Sequence, residues 1–429
     1  MPTPAWEIEP DTGRPRVIHV NTTAVGGGVA EVLHGLVAHQ RSDGTNAGWL
    51  VINGTDDYFA VTKYLHHLLH GRADPDRLDD PALLRTYHEV LAPQASWLAS
   101  QLGPGDAVIL HDPQTLGLAP AIRAAGARVV WHCHIGTQSR SAQGPDAVWR
   151  ALAAELAAVD AVVTTLPEYV PSSVPPHKRF IVAPAIDPMS PKNHPLTTID
   201  IDTLLDEIGL TTARHAPDVS VTQQAPMPRD ARVVLQVSRW DPLKDMPGAL
   251  RCIKGLAPDV HLVLAGSDPT EISDDPEGAA VLTEVRRVYA GLAPADRARV
   301  HLVTISGRNP YRNAIVVNAL QRRADVVLQK SLAEGFGLTV TEAMVKGRAV
   351  VASAVGGLRQ QIVEGVNGLL VDPEDLNGVR TALRRLLGDP PLRARLGARA
   401  RIDALERYSM TRLAQDYVDI VEPTLAVTA

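Results

Sequence analysis

Short apolar runs alternate along this chain with longer stretches whose apolar positions recur every three to four residues. The runs at 16–20, 49–52, 107–110, 128–131, 161–164 and 180–182, and again at 231–236, 261–266, 300–304 and 326–329, are rich in valine, isoleucine and leucine, as strands covered on both faces are. Between them Val29, Val32, Leu33, Leu36 and Val37 form the stripe of an amphipathic helix. Further helices are predicted around 118–125, 147–158, 278–290, 313–323 and 338–346. Strands alternating with helices build parallel, doubly wound sheets.

The alternation runs through both halves, and the stretch APAIDPMSPKN between them carries three prolines and no periodicity. It reads as a crossing between two Rossmann-like α/β domains, 1–186 and 187–410, with Asp187 bracing the hinge and a terminal helix in 411–429 packing back on the first. Their carboxyl edges are expected to face one central cleft. The first fifteen residues and the polar stretch 211–228 are expected to be irregular.

A length of 429 residues is more than one ordinary core holds, in line with two domains. With 45% hydrophobic and 21% charged residues, the chain has the composition of a globular enzyme rather than a disordered one. A net charge of −6 argues against a nucleic-acid partner. No apolar run approaches the roughly 20 residues of a membrane span, and the N-terminus is polar and acidic, so no membrane association and a cytoplasmic location are expected. Two cysteines, Cys133 and Cys252, read as buried reduced thiols. His66, His67 and His70 have no HExxH-like arrangement, and no metal site is expected. Asp56, Asp57 and Lys63 fit either an acceptor pocket or a solvated helix start.

The densest chemistry lies at 329–361, QKSLAEGFGLTVTEAMVKGRAVVASAVGGLRQQ, about the length of one βαβ unit. Glu334 precedes Gly335, Phe336, Gly337 and Leu338, a turn where backbone N–H groups at a helix start can approach an anion closely. Glu342 follows eight residues after Glu334, about one turn into the helix, where a carboxylate can take hydroxyl hydrogen bonds. Phosphate-binding amides flanked by two carboxylates suit a nucleotide sugar. Arg239 and Lys244, five residues apart after the strand at 231–236, suit a diphosphate, the guanidinium as a fork and the ammonium as a point charge. In the first half, Gly26, Gly27 and Gly28 lie between a strand and a helix without the GxGxxG or Walker spacing, which leaves a nicotinamide or ATP reading weak. WHCHIG puts His132 and His134 at a strand's carboxyl end, where open sheets expose functional groups.

SRWDPLKD, EGFGLTVTEAM with its Glu-x7-Glu spacing, GRAVVASAVGGL and GVNGLLVDP occur in this order over about 140 residues. They resemble the C-terminal domain of retaining GT-B glycosyltransferases of family 4. HVNTTAVGGGVAEVLHGL, GTDDYFAVTK, HDPQ, CHI and IDPMSPKN resemble the trehalose synthase (glycosyltransferring) branch, so the likeness covers nearly the whole chain. The resemblance implies that Arg239 and Lys244 hold the donor diphosphate and steady the departing nucleotide. Glu342 would bind the ribose, and Glu334 with the backbone at Gly335, Phe336, Gly337 and Leu338 the transferred sugar. His134 would take a donor-sugar hydroxyl near the reacting carbon, a role that singles it out over His132, and Gly27 and Gly28 would approach the phosphates or the acceptor. Retention by same-face attack, with the leaving phosphate taking the acceptor's proton, would need no protein nucleophile, metal or cofactor beyond a GDP- or UDP-linked donor. The implied partners are a small-molecule donor and acceptor, and a homodimer is compatible with this reading.

The sequence departs from that branch in the half expected to read the acceptor. Gly136 stands where an acid commonly follows CHI, Leu50 and Asn53 stand where acids are usual, and Val345 stands where a tryptophan follows TEAM. The expectation is therefore a retaining transferase acting on another small molecule in specialised-metabolite biosynthesis, for example lincosamide-type S-glycosylation with ergothioneine. Trehalose formation from a nucleoside-diphosphate glucose and glucose is the alternative, and a non-catalytic nucleotide-sugar binder the second alternative.

Overall fold

The computed structural model describes residues 3–11, 13, 15–24, 27–137, 143–271 and 277–425, the last four as backbone. The chain divides into two compact units, Met1–Ala185 with Ser409–Ala429, and Ile186–Tyr408. The first holds strands β1 (Ala5–Ile8), β2 (Val17–Asn21), β3 (Ala47–Val51), β4 (Ala107–His111), β5 (Arg128–Cys133), β6 (Ala161–Thr164) and β7 (Arg179–Ile181). The second holds β8 (Val219–Thr222), β9 (Arg232–Val237), β10 (Val260–Ser267), β11 (Val300–Ile305), β12 (Val326–Gln329), β13 (Ala349–Ser353) and β14 (Leu369–Val371).

In the first unit the strands lie in the order β1-β3-β2-β4-β5-β6-β7, and in the second β14-β13-β12-β9-β10-β11-β8. All pairings are parallel except the edge pairs β1 with β3 and β8 with β11. These two edge strands correct the expectation of an irregular start and an irregular 211–228 stretch. Each is four residues long and lies against a single neighbour, so it carries little of the continuous apolar pattern that marks the central strands.

Central strands are buried throughout, and helices cover the sheets with apolar faces such as Leu33, Leu36 and Val37 of Gly28–Ser42. The 21-residue helix Pro81–Gln101, absent from the predicted pattern, buries Tyr87, Val90, Leu91 and Leu98 in the first core and is capped by Asp80. The helix predicted at 147–158 is two, Gln143–Ala151 and Ala153–Ala158, and that at 118–125 is preceded by the short helix Asp112–Leu116. The terminal helix Met410–Leu425 belongs to the first unit, where Arg128 Nη2 donates to the Ile420 carbonyl (2.6 Å) and Arg412 Nη2 to the Pro184 carbonyl (3.0 Å). Both cysteines are buried and reduced. Among the described residues no helix is long and apolar enough to cross a membrane.

Candidate active site

Strand order decides where each unit can hold a ligand. In the second unit the chain runs outward from β9 through β10 to β11, then returns to β12 on the other side of β9. The loops leaving β9 and β12 at their carboxyl ends diverge across that reversal, which is where open α/β sheets bind ligands. Arg239 and Lys244 follow β9, and Glu334 to Leu338 follow β12.

The two loops are tied together. Lys330 N donates to Gln236 Oε1 (3.0 Å), Gln236 Nε2 donates to the Lys244 carbonyl (2.8 Å), and Leu332 N donates to the Leu243 carbonyl (2.7 Å). Lys330 Nζ, nearly fully buried, pairs with the Asp245 carboxylate. Asp245 holds a left-handed backbone (φ 44°), a strained conformation for a residue other than glycine, and its Oδ1 accepts from Gly248 N (3.0 Å).

Lys244 Nζ donates to Glu334 Oε1 at 2.6 Å, and Glu334 Oε2 accepts from Ser331 Oγ at 3.0 Å. Gln329 Nε2 donates to the same serine oxygen (3.0 Å), while its Oε1 accepts from Thr339 Oγ1 (3.0 Å). The glutamate is 9% exposed and the lysine 16%, so this is an oriented, half-desolvated ion pair. Arg239, a third exposed, stands 3.6 Å from Asp241.

Gly337 caps the helix Leu338–Val345 with φ +90°, and a Cβ there would meet Leu358 Cδ2 at 2.6 Å. Behind the turn, Gly357 lies so close that a Cβ would reach Phe336 Cα at 2.5 Å. Gln361 Nε2 donates to the Phe336 carbonyl (2.6 Å), leaving the amides of the helix start as the groups available to an anion. The Phe336 ring is buried edge-on against Tyr408, so only its backbone can serve a ligand.

Glu342 departs from the simple picture of a carboxylate facing open space. It is 3% exposed; its Oε2 accepts from Gln321 Nε2 (3.1 Å) and its Oε1 lies 3.6 Å from Lys192 Nζ. Any group approaching Oε1 meets the Lys192 ammonium there. Lys346 Nζ, also buried, donates to Asn193 Oδ1 (2.8 Å) and Gln321 Oε1 (2.7 Å), locking that network.

In the first unit the reversal falls between β2 and β4. Gly27 caps the helix that begins at Gly28, a Cβ on Gly27 would meet nothing within 4 Å, and Gly28 is exposed. Gly26 lies outside the described residues.

His134 sits just past β5 in a row of histidines. Its Nε2 is 3.0 Å from His111 Nδ1, His111 Nε2 is 3.1 Å from His19 Nδ1, and His19 Nε2 is 3.1 Å from Gln40 Oε1. His132 stacks on His134 with ring centroids 3.9 Å apart, and its Nδ1 lies 2.5 Å from Tyr417 Oη of the terminal helix. Burial holds His19 down to about 4 and His134 to about 3, and it puts His111 and His132 well below the ordinary range, so all four rings are neutral near pH 7. Asp112, with φ 61°, accepts from His134 N (2.7 Å), and burial pushes its carboxyl up to about 7.

One ring nitrogen of each of His111, His132 and His134 lies within 4.8 Å of the others. In this structure two ring nitrogens of the group, His111 Nδ1 and His134 Nε2, serve each other at hydrogen-bond distance. Sequence reasoning named only His132 and His134; His19, Gln40, His111 and Tyr417 were readable as polar residues at strand ends or on helices, but nothing in their spacing says that they meet. Asp56 and Asp57 open the helix Asp56–Leu69 and Lys63 lies in its middle; Thr55 caps it by accepting from Tyr58 N (3.2 Å).

Residues 19–171 match the family described as trehalose synthase, N-terminal domain, and residues 221–403 match glycosyl transferases group 1. The trehalose synthase of Rubrobacter xylanophilus is 36% identical over 424 residues, covering 96% of this chain and 91% of that one. That of Pyrococcus horikoshii is 34% identical over 407 residues, covering 94% and 89%. Among solved structures, the trehalose-6-phosphate synthase OtsA superposes with a TM-score of 0.72 at 15% identity over 95% of this chain and 99% of that one. Anabaena HepE in complex with UDP and glucose superposes with 0.67 at 16% identity over 95% and 99%. Two mainly parallel α/β sheets, in a chain that matches these structures along almost its whole length, make a GT-B fold. The chain belongs to the trehalose synthase family of glycosyltransferases.

Proposed function

We propose that this enzyme transfers glucose, with retention, from a nucleoside-diphosphate glucose to free glucose, forming trehalose. The observation that carries the reading is the near-full-length similarity to two curated trehalose synthases, spanning both halves of the chain rather than the donor half alone.

This corrects the preference for another acceptor in specialised-metabolite biosynthesis, which the relatives named above do not support. The departures behind that preference also have internal explanations. Leu50 is fully buried in β3 and Val345 almost so at the end of its helix, so both are packing positions. A Cβ on Gly136 would collide with the Tyr169 ring at 2.1 Å. Asn53 Nδ2 donates to the Thr3 carbonyl, and its backbone pairs with Gln94 on both sides.

In the proposed reaction the bond from the anomeric carbon to the diphosphate oxygen breaks as the acceptor hydroxyl bonds to the same face, its proton passing to the leaving phosphate. Negative charge grows on the diphosphate, so Lys244 and Arg239 act as fixed positive charge where it develops, the kind of term that dominates such barriers. Glu334 holds Lys244 in place before the donor arrives and accepts from sugar hydroxyls afterwards. His134 takes a further hydroxyl, and Glu342 the ribose. Neither metal nor cofactor enters this scheme.

The test is incubation of glucose with UDP-, GDP- and ADP-glucose in turn, following nucleotide release and trehalose by mass spectrometry; absence of trehalose with all three sinks the proposal. A nucleotide-sugar binder without activity is separated by Lys244→Ala, which leaves such a protein no turnover to lose.

A further inference from the structure

His134, His111 and His19, with the Gln40 amide behind them, form a line with a direction. Gln40 Oε1 can only accept, so the 3.1 Å contact places the His19 proton on Nε2. A neutral imidazole with one protonated nitrogen accepts at the other, so His19 Nδ1 accepts from His111 Nε2–H, and His111 Nδ1 in turn accepts from His134 Nε2–H. The relay leaves the other nitrogen of His134, Nδ1, as a bare acceptor with no partner among the described residues. His134 is the one member that is not fully buried.

We propose that Gln40, through His19 and His111, fixes the tautomer of His134, so that His134 meets the sugar as a hydrogen-bond acceptor through Nδ1 and rejects groups that can only accept. Were the Gln40 amide turned the other way, every proton in the line would shift one nitrogen along, and Nδ1 would become a donor. Gln40 is therefore a positioning residue that touches no substrate, and its own burial (3% exposed) on the inner face of Gly28–Ser42 keeps the amide from turning freely. The neutrality of the three rings in the line is what allows a tautomer to be passed along, since a protonated imidazole donates from both nitrogens. The inference rests on the role given to His134 under the proposed function; the tautomer itself does not.

The test uses the full chain labelled with nitrogen-15 in histidine, with two-bond proton–nitrogen correlation spectra at pH 7.5 and kinetics with the donor that the product screen identifies. His134, assigned by loss of its signals in His134→Ala, is expected as the Nε2–H tautomer in the unsubstituted protein. Gln40→Met, which removes the acceptor with little change in volume, should give a mixture of tautomers at His134 and lower kcat/KM for the donor about three- to tenfold, the size of one weakened neutral hydrogen bond. Gln40→Glu keeps an acceptor at that place and should keep the Nε2–H tautomer, and it serves as the readout if Gln40→Met fails to fold. Nδ1–H at His134 in the unsubstituted protein, or an unchanged tautomer in Gln40→Met, overturns the relay. Full turnover by His134→Ala overturns instead the role of His134 in sugar binding, whatever its tautomer.

Discussion

Replacing Lys244 by methionine separates what the Lys244–Glu334 pair does for the fold from what it does for the reaction. The pair is short (2.6 Å) and mostly covered, with Glu334 also accepting from Ser331. Removing the ammonium takes from a 9% exposed carboxylate the counter-charge that stands 2.6 Å away. With some exposure to discount, the cost is about 2 kcal/mol, within the usual range for a charged group stripped of its partner. In a unit of this size that is a fall in melting temperature of roughly 4–8 °C. Turnover should fall more, about 100- to 1,000-fold, because in the proposed role the methionine also removes positive charge from the departing diphosphate. The double variant Lys244→Met/Glu334→Gln removes the carboxylate's charge as well, so it should regain most of the stability and none of the rate. Thermal denaturation and initial rates of nucleotide release read the two effects apart. Recovery of turnover in the double variant, or more than a tenth of normal turnover in Lys244→Met, would refute the assignment of Lys244 to the leaving group.

Gly357→Ala should raise KM for the donor at least about tenfold and lower stability by a few kcal/mol, since its Cβ would press on the backbone at Phe336 and that backbone has to move; titration of the bound nucleotide and denaturation check this. Acidification should destabilise the first unit between pH 6.5 and about 4. The folded pKa values of His19 and His134 lie near 4 and 3, below the unfolded value, so the unfolded chain binds protons first and stability is lost as pH falls through that window; on the order of 3 kcal/mol is expected from His19 alone, measured by denaturation at stepped pH. Asp112 has the opposite sign. Its folded pKa near 7 lies above the unfolded value, so its contribution is lost as pH rises between about 4 and 7, and Asp112→Asn should make the protein relatively more stable at pH 8 than at pH 4. Arg239→Lys should recover only part of the turnover lost in Arg239→Ala, because an ammonium cannot give the forked contact to a diphosphate.

Much of this protein was legible along the chain because the information is local. Valine-rich runs such as those at 231–236 and 326–329 mark strands covered on both faces, and glycine turns before apolar stripes mark helix starts, since burial and backbone freedom act over a few residues. The Glu334–Glu342 stretch and the Arg239–Lys244 loop stood out as a candidate site for the same reason. The short edge strands β1 and β8 and the helix Pro81–Gln101 were not readable, because an edge strand has one neighbour to impose a pattern and that helix's apolar face is interrupted by polar positions.

By itself the sequence determined the alternation of strand and helix, the placement of charge and glycine at loop positions, and the family. Only the tertiary structure decided that β9 and β12 are neighbours, and so that loops nearly 90 residues apart share the ion pair of Lys244 with Glu334. It also decided that Glu342 faces Gln321 and Lys192, and that Gln40, His19, His111 and His134 stand in one line. The physical reason is that strand order follows from how helices pack across a whole sheet, and hydrogen bonds between distant side chains exist only once that order has set their separation.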